Sequence, residues 1–264
     1  MNEARPRKSL GQHFLHDRGI IEKILDSIKP QADQAFVEIG PGRGALTGPL
    51  LEHGVRLQVI ELDRGLAAAL PARFETDRLS VHCGDALKFD FRRLGDEPLR
   101  LVGNLPYNVS TPLLFHLLAS SAQFSDIHVM LQKEVVKRMA ASPGGREYGR
   151  LTVSLAARCR VEPLFDIRPG AFTPPPKVDS SFVRLVPEAG RLAAIRDAAT
   201  FDRLVSAAFG QRRKQLGNSL GNWFTGKQLQ ALDIDPRRRA ETLSLAEFQR
   251  LANSLQAAAP GQAR

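Results

Sequence analysis

Residues 35–45 read AFVEIGPGRGA, a short apolar run that stops at three alternating glycines and passes into a helix-forming stretch reaching about Glu52. Glycine lets the backbone turn tightly and approach a ligand closely, and the N-terminus of the following helix offers unpaired N–H groups. The pattern is typical of the first strand, loop and helix of a ligand-binding α/β domain. Because Ala45 completes the dinucleotide-binding spacing GxGxxA, a nicotinamide dinucleotide is one of the candidate ligands.

Four further apolar runs follow this unit, and helical stretches separate them: residues 57–61, 79–83, 99–102 and 127–131. This alternation predicts a parallel α/β sheet. Two further runs, residues 151–157 and 181–186, have no long helix between them and predict an antiparallel hairpin on the sheet edge. Beyond residue 187 we expect helices only. The predicted parts are a basic arm with a helix over residues 1–30, a catalytic domain over residues 31–186 and a helical domain over residues 187–264.

Acidic residues stand at the ends of the second and third runs. Glu61 closes the second run 19 residues after Gly42, the distance at which a carboxylate accepts hydrogen bonds from ribose hydroxyls, and Asp63 is the alternative for that role. Asp85 follows the third run and would accept the exocyclic amine of an adenine ring, unless it only caps a helix. Together with the glycine loop, these carboxylates favour an adenosyl cofactor with no obligatory phosphate.

Residues 104–107, Asn-Leu-Pro-Tyr, follow the fourth run. An adenine N6 amine is a poor nucleophile because its lone pair is delocalised into the ring, and it must become tetrahedral to take a methyl group. The Asn104 side-chain oxygen and the Leu105 carbonyl would each accept one N–H as that geometry develops. Pro106 fixes the turn, and Tyr107 offers a stacking face for an extruded base. The motif in this position favours methyl transfer to adenine.

These motifs resemble those of the S-adenosylmethionine-dependent rRNA adenine N6-dimethyltransferases, from about Arg7 to Leu251. The resemblance rests on residues 37–42, 84–85 and 104–107, on an N-terminal motif over residues 8–15 and on a late motif over residues 172–181. Residues 209–220 resemble the bacterial branch that dimethylates two adjacent adenines in the 3′-terminal hairpin of 16S rRNA. The resemblance implies a Rossmann-like class I methyltransferase fold with a small all-α C-terminal domain that recognises RNA.

The resemblance also implies a role for each matched residue. S-adenosylmethionine would be the methyl donor, without a metal, and the arm would cover it. The implied cofactor-binding residues are His13, Leu15, Gly40, Gly42, Glu61, Asp85 and Asn104. The implied catalytic residues are Asn104, Leu105, Pro106, Tyr107 and Phe172. Many family members have Asn where this chain has His13, whose imidazole still offers a hydrogen bond. Phe172, ahead of three prolines, would stack on the target base with Tyr107 or else belong to the core.

The charge balance points to a polyanionic partner. The 264 residues include 37 Lys and Arg against 28 Asp and Glu, a net charge of +9 with a pI near 10.1, which favours nucleic acid. The last 78 residues hold 12 basic and 7 acidic residues, so the excess is denser there. The basic runs at residues 212–214 and 237–239 would contact phosphates. The alternative for residues 212–214 is that they only stabilise the end of a helix, and for residues 237–239 that they form a solvated loop.

Several other classes of protein are excluded or explain less. There is no membrane-spanning run and no secretory signal, and Cys83 and Cys159 form neither a disulfide framework nor a zinc-binding CxxC. We expect a cytoplasmic monomer that acts on 16S rRNA in an immature small ribosomal subunit. An NAD-dependent oxidoreductase leaves residues 104–107 unexplained, and a non-catalytic assembly factor would not need them. A DNA adenine methylase usually has an acidic residue or Ser with two prolines there.

Overall fold

A computed structural model describes residues 11–255 of the chain. In chain order the elements are β1 (Phe14–Leu15), α1 (Arg18–Ile28), β2 (Ala35–Ile39), α2 (Thr47–Glu52), β3 (Arg56–Glu61), α3 (Arg64–Arg73), β4 (Leu79–Cys83), β5 (Leu99–Asn104), α4 (Ser110–Ala119), β6 (Phe124–Gln132), α5 (Lys133–Met139), α6 (Arg150–Ala156), β7 (Cys159–Ile167), β8 (Phe172–Thr173), β9 (Ser180–Pro187), α7 (Ala189–Ala193), α8 (Ala198–Gly210), α9 (Leu216–Ser219), α10 (Gly226–Ala231) and α11 (Leu245–Leu255). Residues 8–10 of the N-terminal motif lie outside the described range.

The main sheet has seven strands in the order β4-β3-β2-β5-β6-β9-β7. All five predicted runs are confirmed as strands, and β2, β3, β4, β5 and β6 pair in parallel. Strand β9 is antiparallel to β6. The parallel register aligns Ile39 with Gly103, and Glu61 with Cys83. The carboxyl ends of four strands therefore meet at one edge of the sheet, which is where α/β proteins bind their ligands.

The strands at the centre of this sheet are almost wholly buried, as is typical of parallel sheets. Phe36 and Val37 of β2 are 1% and 0% exposed. Helix α1 begins where the Asp17 side chain accepts the Ile20 N–H at 3.0 Å, as an N-cap does. It buries Ile24 against the core, as its helical spacing predicts.

The predicted strand at residues 151–157 is wrong: these residues form helix α6. All positions from Leu151 to Leu155 are buried, and an apolar run buried on every side has no periodicity that separates a strand from a helix. The strand next to β9 is instead β7, which sequence analysis missed. Its residues alternate irregularly between buried and exposed, and Pro163 interrupts the run. The segment therefore shows neither a regular alternation of apolar and polar residues nor an unbroken apolar run, the two patterns that predict a strand.

The chain divides into two compact units, the first comprising residues 1–136 and 161–187 and the second comprising residues 137–160 and 188–264. The predicted domain boundaries therefore need correction, because residues 137–160 belong with the helical unit. Tyr148, Val153 and Ala157 from this segment are buried in the same apolar cluster as Phe201 and Leu204 of α8. Burial of that apolar surface explains why the segment belongs to the second unit.

The two units differ sharply in charge. The first contains 19 basic and 20 acidic residues, a net charge of −1, and the second contains 18 basic and 8 acidic residues, a net charge of +10. The basic excess of the protein thus lies in the helical unit, and residues 137–160 contribute to it. No helix within residues 11–255 is long and apolar enough to cross a membrane.

Candidate active site

The glycine loop after β2 adopts a backbone conformation that other residues rarely accept. Gly40 and Gly42 have φ angles of 67° and 57°, in the left-handed region where glycine is favoured. The Gly40 N–H donates to the Ile60 carbonyl at 2.9 Å. A Cβ atom on Gly42 would lie 3.0 Å from the Phe14 ring. The loop therefore has one defined path, packed closely against the N-terminal arm.

Two buried carboxyl groups stand beside this loop. Glu61 accepts the Gly42 N–H at 3.1 Å and the Asp63 N–H at 2.8 Å, and burial raises its pKa. Glu38 is 2% exposed, accepts the Thr47 hydroxyl at 2.6 Å and has a pKa that burial raises to about 8. Desolvation disfavours the charged form of both groups. A cation placed in the pocket would favour their charged forms and so lower both pKa values.

Glu38 is a site residue that sequence analysis did not assign. The available signal was an acidic residue in the otherwise apolar strand β2, since a buried carboxyl needs a compensating partner or a function. Glu61 and Asp63, the two alternatives for the ribose contact, differ in their contacts. Asp63 caps α3, accepting the Gly65 N–H at 2.9 Å, whereas Glu61 lines the pocket.

Residues 104–107 begin at the end of β5. The Asn104 side-chain nitrogen donates to the His13 carbonyl at 2.8 Å, which assigns Oδ1 as the acceptor end of the amide. Leu105 is fully buried, and its N–H donates to the Met130 carbonyl at 3.2 Å. The Tyr107 hydroxyl is hydrogen-bonded to the Ser180 hydroxyl, and burial raises the pKa of this phenol. The motif is thus held by contacts from three other segments.

The N-terminal arm lies against the late motif. Strand β1 pairs antiparallel with β8, placing Phe14 opposite Thr173 and Leu15 opposite Phe172. His13 donates from Nδ1 to the Pro174 carbonyl at 2.7 Å. Two motifs some 160 residues apart in sequence therefore meet as a two-stranded ribbon beside the glycine loop.

One pocket in the first unit collects most of the residues assigned from the sequence. Its walls include His13, Leu15, Gly40, Gly42, Glu61, Asn104, Leu105, Pro106 and Tyr107. It also includes Leu62, whose side chain is 51% exposed. Leu62 was missed from the sequence, although a large exposed apolar residue directly after Glu61 offers a surface for a flat ring.

Two assigned residues do not line this pocket in the described chain. Asp85 lies two residues beyond the end of β4, and its carboxylate accepts the Leu87 N–H at 2.9 Å, as in an Asx turn. Phe172 is 2% exposed and belongs to the apolar core cluster of the first unit. The core alternative therefore describes Phe172 in this structure, and its ring offers no face to a base.

The pocket has the chemistry that S-adenosylmethionine requires. A loop N–H meets a carboxylate, two acidic groups line the pocket, and Leu62 and Met130 supply apolar surface. These residues fit the adenosyl group, the amino-acid end and the positive sulfonium of that cofactor. Within residues 11–255 no group of three or more His, Cys, Asp or Glu side chains is placed to hold a metal ion.

A parallel-dominated sheet with this pocket at its carboxyl edge defines a Rossmann-like methyltransferase. The family model described as ribosomal RNA adenine dimethylase matches residues 3–257, and the chain belongs to that family. It is therefore an S-adenosylmethionine-dependent rRNA adenine dimethyltransferase, as the motifs predicted, and the dinucleotide alternative is excluded.

Relatives and solved structures agree with this assignment. The chain is 52% identical over 260 residues to ribosomal RNA small subunit methyltransferase A of Aromatoleum aromaticum, covering 98% of each chain, and 53% identical over 256 residues to that of Pseudomonas aeruginosa, covering 96% of each. A dimethyladenosine transferase from Plasmodium falciparum superposes with a TM-score of 0.80 at 27% identity, covering 93% of this chain and 98% of that one. The 23S rRNA methyltransferase ErmE shares the fold, with a TM-score of 0.69 at 24% identity over 92% and 99% of the two chains.

Proposed function

We propose that the chain methylates N6 of two adjacent adenines in the 3′-terminal hairpin of 16S rRNA, giving N6,N6-dimethyladenosines in an immature small ribosomal subunit. The names of its relatives specify the small subunit, and residues 209–220 resemble the branch with this target. We further propose that it acts as a cytoplasmic monomer. The observation that carries the chemistry is the fixed orientation of Asn104 at the end of β5.

Bound S-adenosylmethionine would supply a methyl group activated by its sulfonium. The chain's own residues then bind and orient the amine. Because the Asn104 nitrogen is engaged by the His13 carbonyl, its oxygen is oriented in advance to accept an N6 hydrogen, and the Leu105 carbonyl would accept the other. Such acceptors stabilise the tetrahedral nitrogen more than the planar one, so they lower the barrier. Pro106 and Tyr107 would hold the extruded base in line with the donor.

RNA recognition belongs, in this proposal, to the basic second unit. Of the predicted phosphate contacts, Arg212 is engaged by Glu241 at 3.1 Å, Arg237 by Asp235 at 3.0 Å and Arg238 by Glu247. These three arginines are thus already paired with carboxylates of the same unit. The remaining members of the two basic runs, Arg213, Lys214 and Arg239, are exposed and are the stronger candidates for phosphate contacts.

The reaction is tested by transfer of tritiated methyl groups to small-subunit particles that lack the modification, followed by nucleoside analysis. We expect N6,N6-dimethyladenosine. Asn104→Ala should lower the single-turnover rate on the order of 100-fold while RNA binding is kept, whereas Asn108→Ala, an exposed control on the same loop, should stay near the wild-type rate. A near-normal rate for Asn104→Ala would remove Asn104 from the proposed mechanism.

The cofactor assignment of Asp85 is tested separately, by calorimetric titration with S-adenosylmethionine. Asp85→Ala should weaken binding by roughly 1–3 kcal/mol, the cost of losing a charge-assisted acceptor. Since Asp85 also accepts the Leu87 N–H, Asp85→Asn is the matched variant, because it keeps a turn-forming oxygen and loses the charge. Wild-type affinity in both variants would place Asp85 outside the cofactor site.

A further inference from the structure

The His13 side chain lies on the aromatic face of Tyr107. The two ring centroids are 5.5 Å apart and the planes differ by 28°, a stacked arrangement. Aromatic rings attract one another at such separations. One face of the ring that would receive the target base is therefore already covered by a residue of the N-terminal arm.

His13 is fixed in this place by hydrogen bonds from its ring and to its backbone carbonyl. Its Nδ1 donates to the Pro174 carbonyl at 2.7 Å, and its own carbonyl accepts the Asn104 side chain at 2.8 Å. The next residue, Phe14, begins the pairing of β1 with β8. A histidine anchored at its ring, its carbonyl and the adjoining strand does not have to be ordered when substrate arrives.

Tyr107 is held at its other end as well. Its hydroxyl is hydrogen-bonded to Ser180, which is 0% exposed and lies in β9 opposite Gln132. The ring is thus fixed at its hydroxyl by the main sheet and on one face by the arm. A base inserted between the two rings would need about 7 Å between their planes, more than the 5.5 Å that separates their centroids.

We propose that His13 is a positioning residue that forms the fixed back wall of the target-base site. By stacking on one face of Tyr107, it holds the ring so that the adenine stacks on the opposite face, in line with Asn104. This inference rests on the proposed function, but it concerns the imidazole ring rather than the cofactor contact that the family resemblance implies for this position. The stack supplies the orientation, and the hydrogen bond to Pro174 holds the imidazole in it.

The state of Tyr107 can be observed in the protein without RNA. The chain has only 2 tyrosines, so labelling with ring-13C tyrosine gives two ring signals, which a Tyr148→Phe variant assigns. His13→Ala should shift the Tyr107 signal and leave that of Tyr148 in place. His16→Ala, which removes an exposed ring from the same arm, should shift neither. An unmoved Tyr107 signal in His13→Ala would overturn the proposal.

Methylation rates then separate stacking from hydrogen bonding. We expect the single-turnover rate on small-subunit particles to fall about tenfold in His13→Ala and in His13→Asn, which keeps a donor but loses the ring. His13→Phe keeps a stacking ring without the donor to Pro174 and should recover a measurable part of the rate that His13→Asn loses. Full activity in His13→Asn, or no rescue by His13→Phe, would overturn the proposal. If the wild-type protein does not methylate these particles, the proposed substrate fails while the tyrosine signals still decide the role of His13.

Discussion

Gly103 lies at the point where the sheet meets the proposed catalytic motif, residues 104–107, and replacing it with Ala should damage both. The residue belongs to β5, between β2 and β6, directly before Asn104. A Cβ atom here would lie 2.6 Å from the Ile39 carbonyl oxygen, whereas carbon and oxygen atoms in sheets approach to about 3.3 Å. The overlap of roughly 0.7 Å is with backbone at the centre of the sheet, so it cannot be relieved by moving a side chain.

The cost follows from this overlap. Over-packing of this kind typically destabilises by about 1–3 kcal/mol, and a displacement near 1 Å at a positioning residue reduces rates by up to roughly 100-fold. We therefore expect Gly103→Ala to unfold at lower urea concentration. Below that transition, its single-turnover methylation should be at least about tenfold slower than wild type, because Asn104 moves with the strand.

Gly84→Ala is the matched control for stability. Gly84 follows β4 at the same edge of the sheet, and a Cβ atom there meets nothing within 4 Å in the described chain. Its unfolding free energy should stay within about 0.5 kcal/mol of wild type. If Gly103→Ala matches the wild-type protein in both unfolding and methylation, the strand is not rigid enough to position Asn104, and the proposed role of β5 in orienting this residue is wrong.

Three further outcomes are expected. The Glu38 pKa of about 8 lies above its unfolded value of 4.5. The stability that this group contributes is therefore full below pH 4.5 and is lost as the pH rises to about 8. Glu38→Gln should flatten the pH dependence of the urea-unfolding free energy between pH 5 and 8, and an unchanged profile would contradict this. Burial lowers the pKa of His128 from 6.5 to about 4. The stability that the neutral imidazole contributes is therefore lost, by up to about 3 kcal/mol, as the pH falls from 6.5 to about 4. His128→Leu should not show this loss when its urea-unfolding free energy is measured over the same pH range. Replacing Arg213 and Lys214 by Gln should flatten the dependence of log K on log salt for RNA by roughly 1–2 units with no change in melting temperature, and an equal salt slope would exclude phosphate contacts by this pair.

The parts of the fold that could be predicted from the sequence are those with strong local signals. The five parallel strands are short apolar runs, and the loop after β2 is marked by glycines that must adopt positive φ. Helix α6 and strand β7 could not be predicted from periodicity. The first is buried at five successive positions, Leu151 to Leu155, and the second has no regular alternation. Both are determined by tertiary contacts, which local propensity does not encode.

The site follows the same division. Residues at the carboxyl ends of parallel strands, such as Glu61 on β3 and Asn104 on β5, could be brought to one edge from the rule for parallel sheets alone. The contact between His13 and Tyr107 joins residues 94 positions apart in sequence, and Phe172 pairs with Leu15 of the arm and is buried in the same apolar cluster. Neither has a signal in the local sequence, because each is produced by a segment that folds back from elsewhere in the chain.

The net charge of each unit is compatible with the charge of the ligand proposed for it. The cofactor carries a cationic sulfonium, and the first unit lines its pocket with the buried carboxyl groups of Glu38 and Glu61 while having a net charge of only −1. The RNA is a polyanion, and the second unit has a net charge of +10. A strongly basic first unit would weaken the attraction of these carboxyl groups for the cofactor, since like charges oppose one another over several ångströms in a partly buried site. In the proposed function, the basic residues that attract RNA are therefore those of the helical unit, and the unit that lines the cofactor pocket contributes none of the net charge of +9.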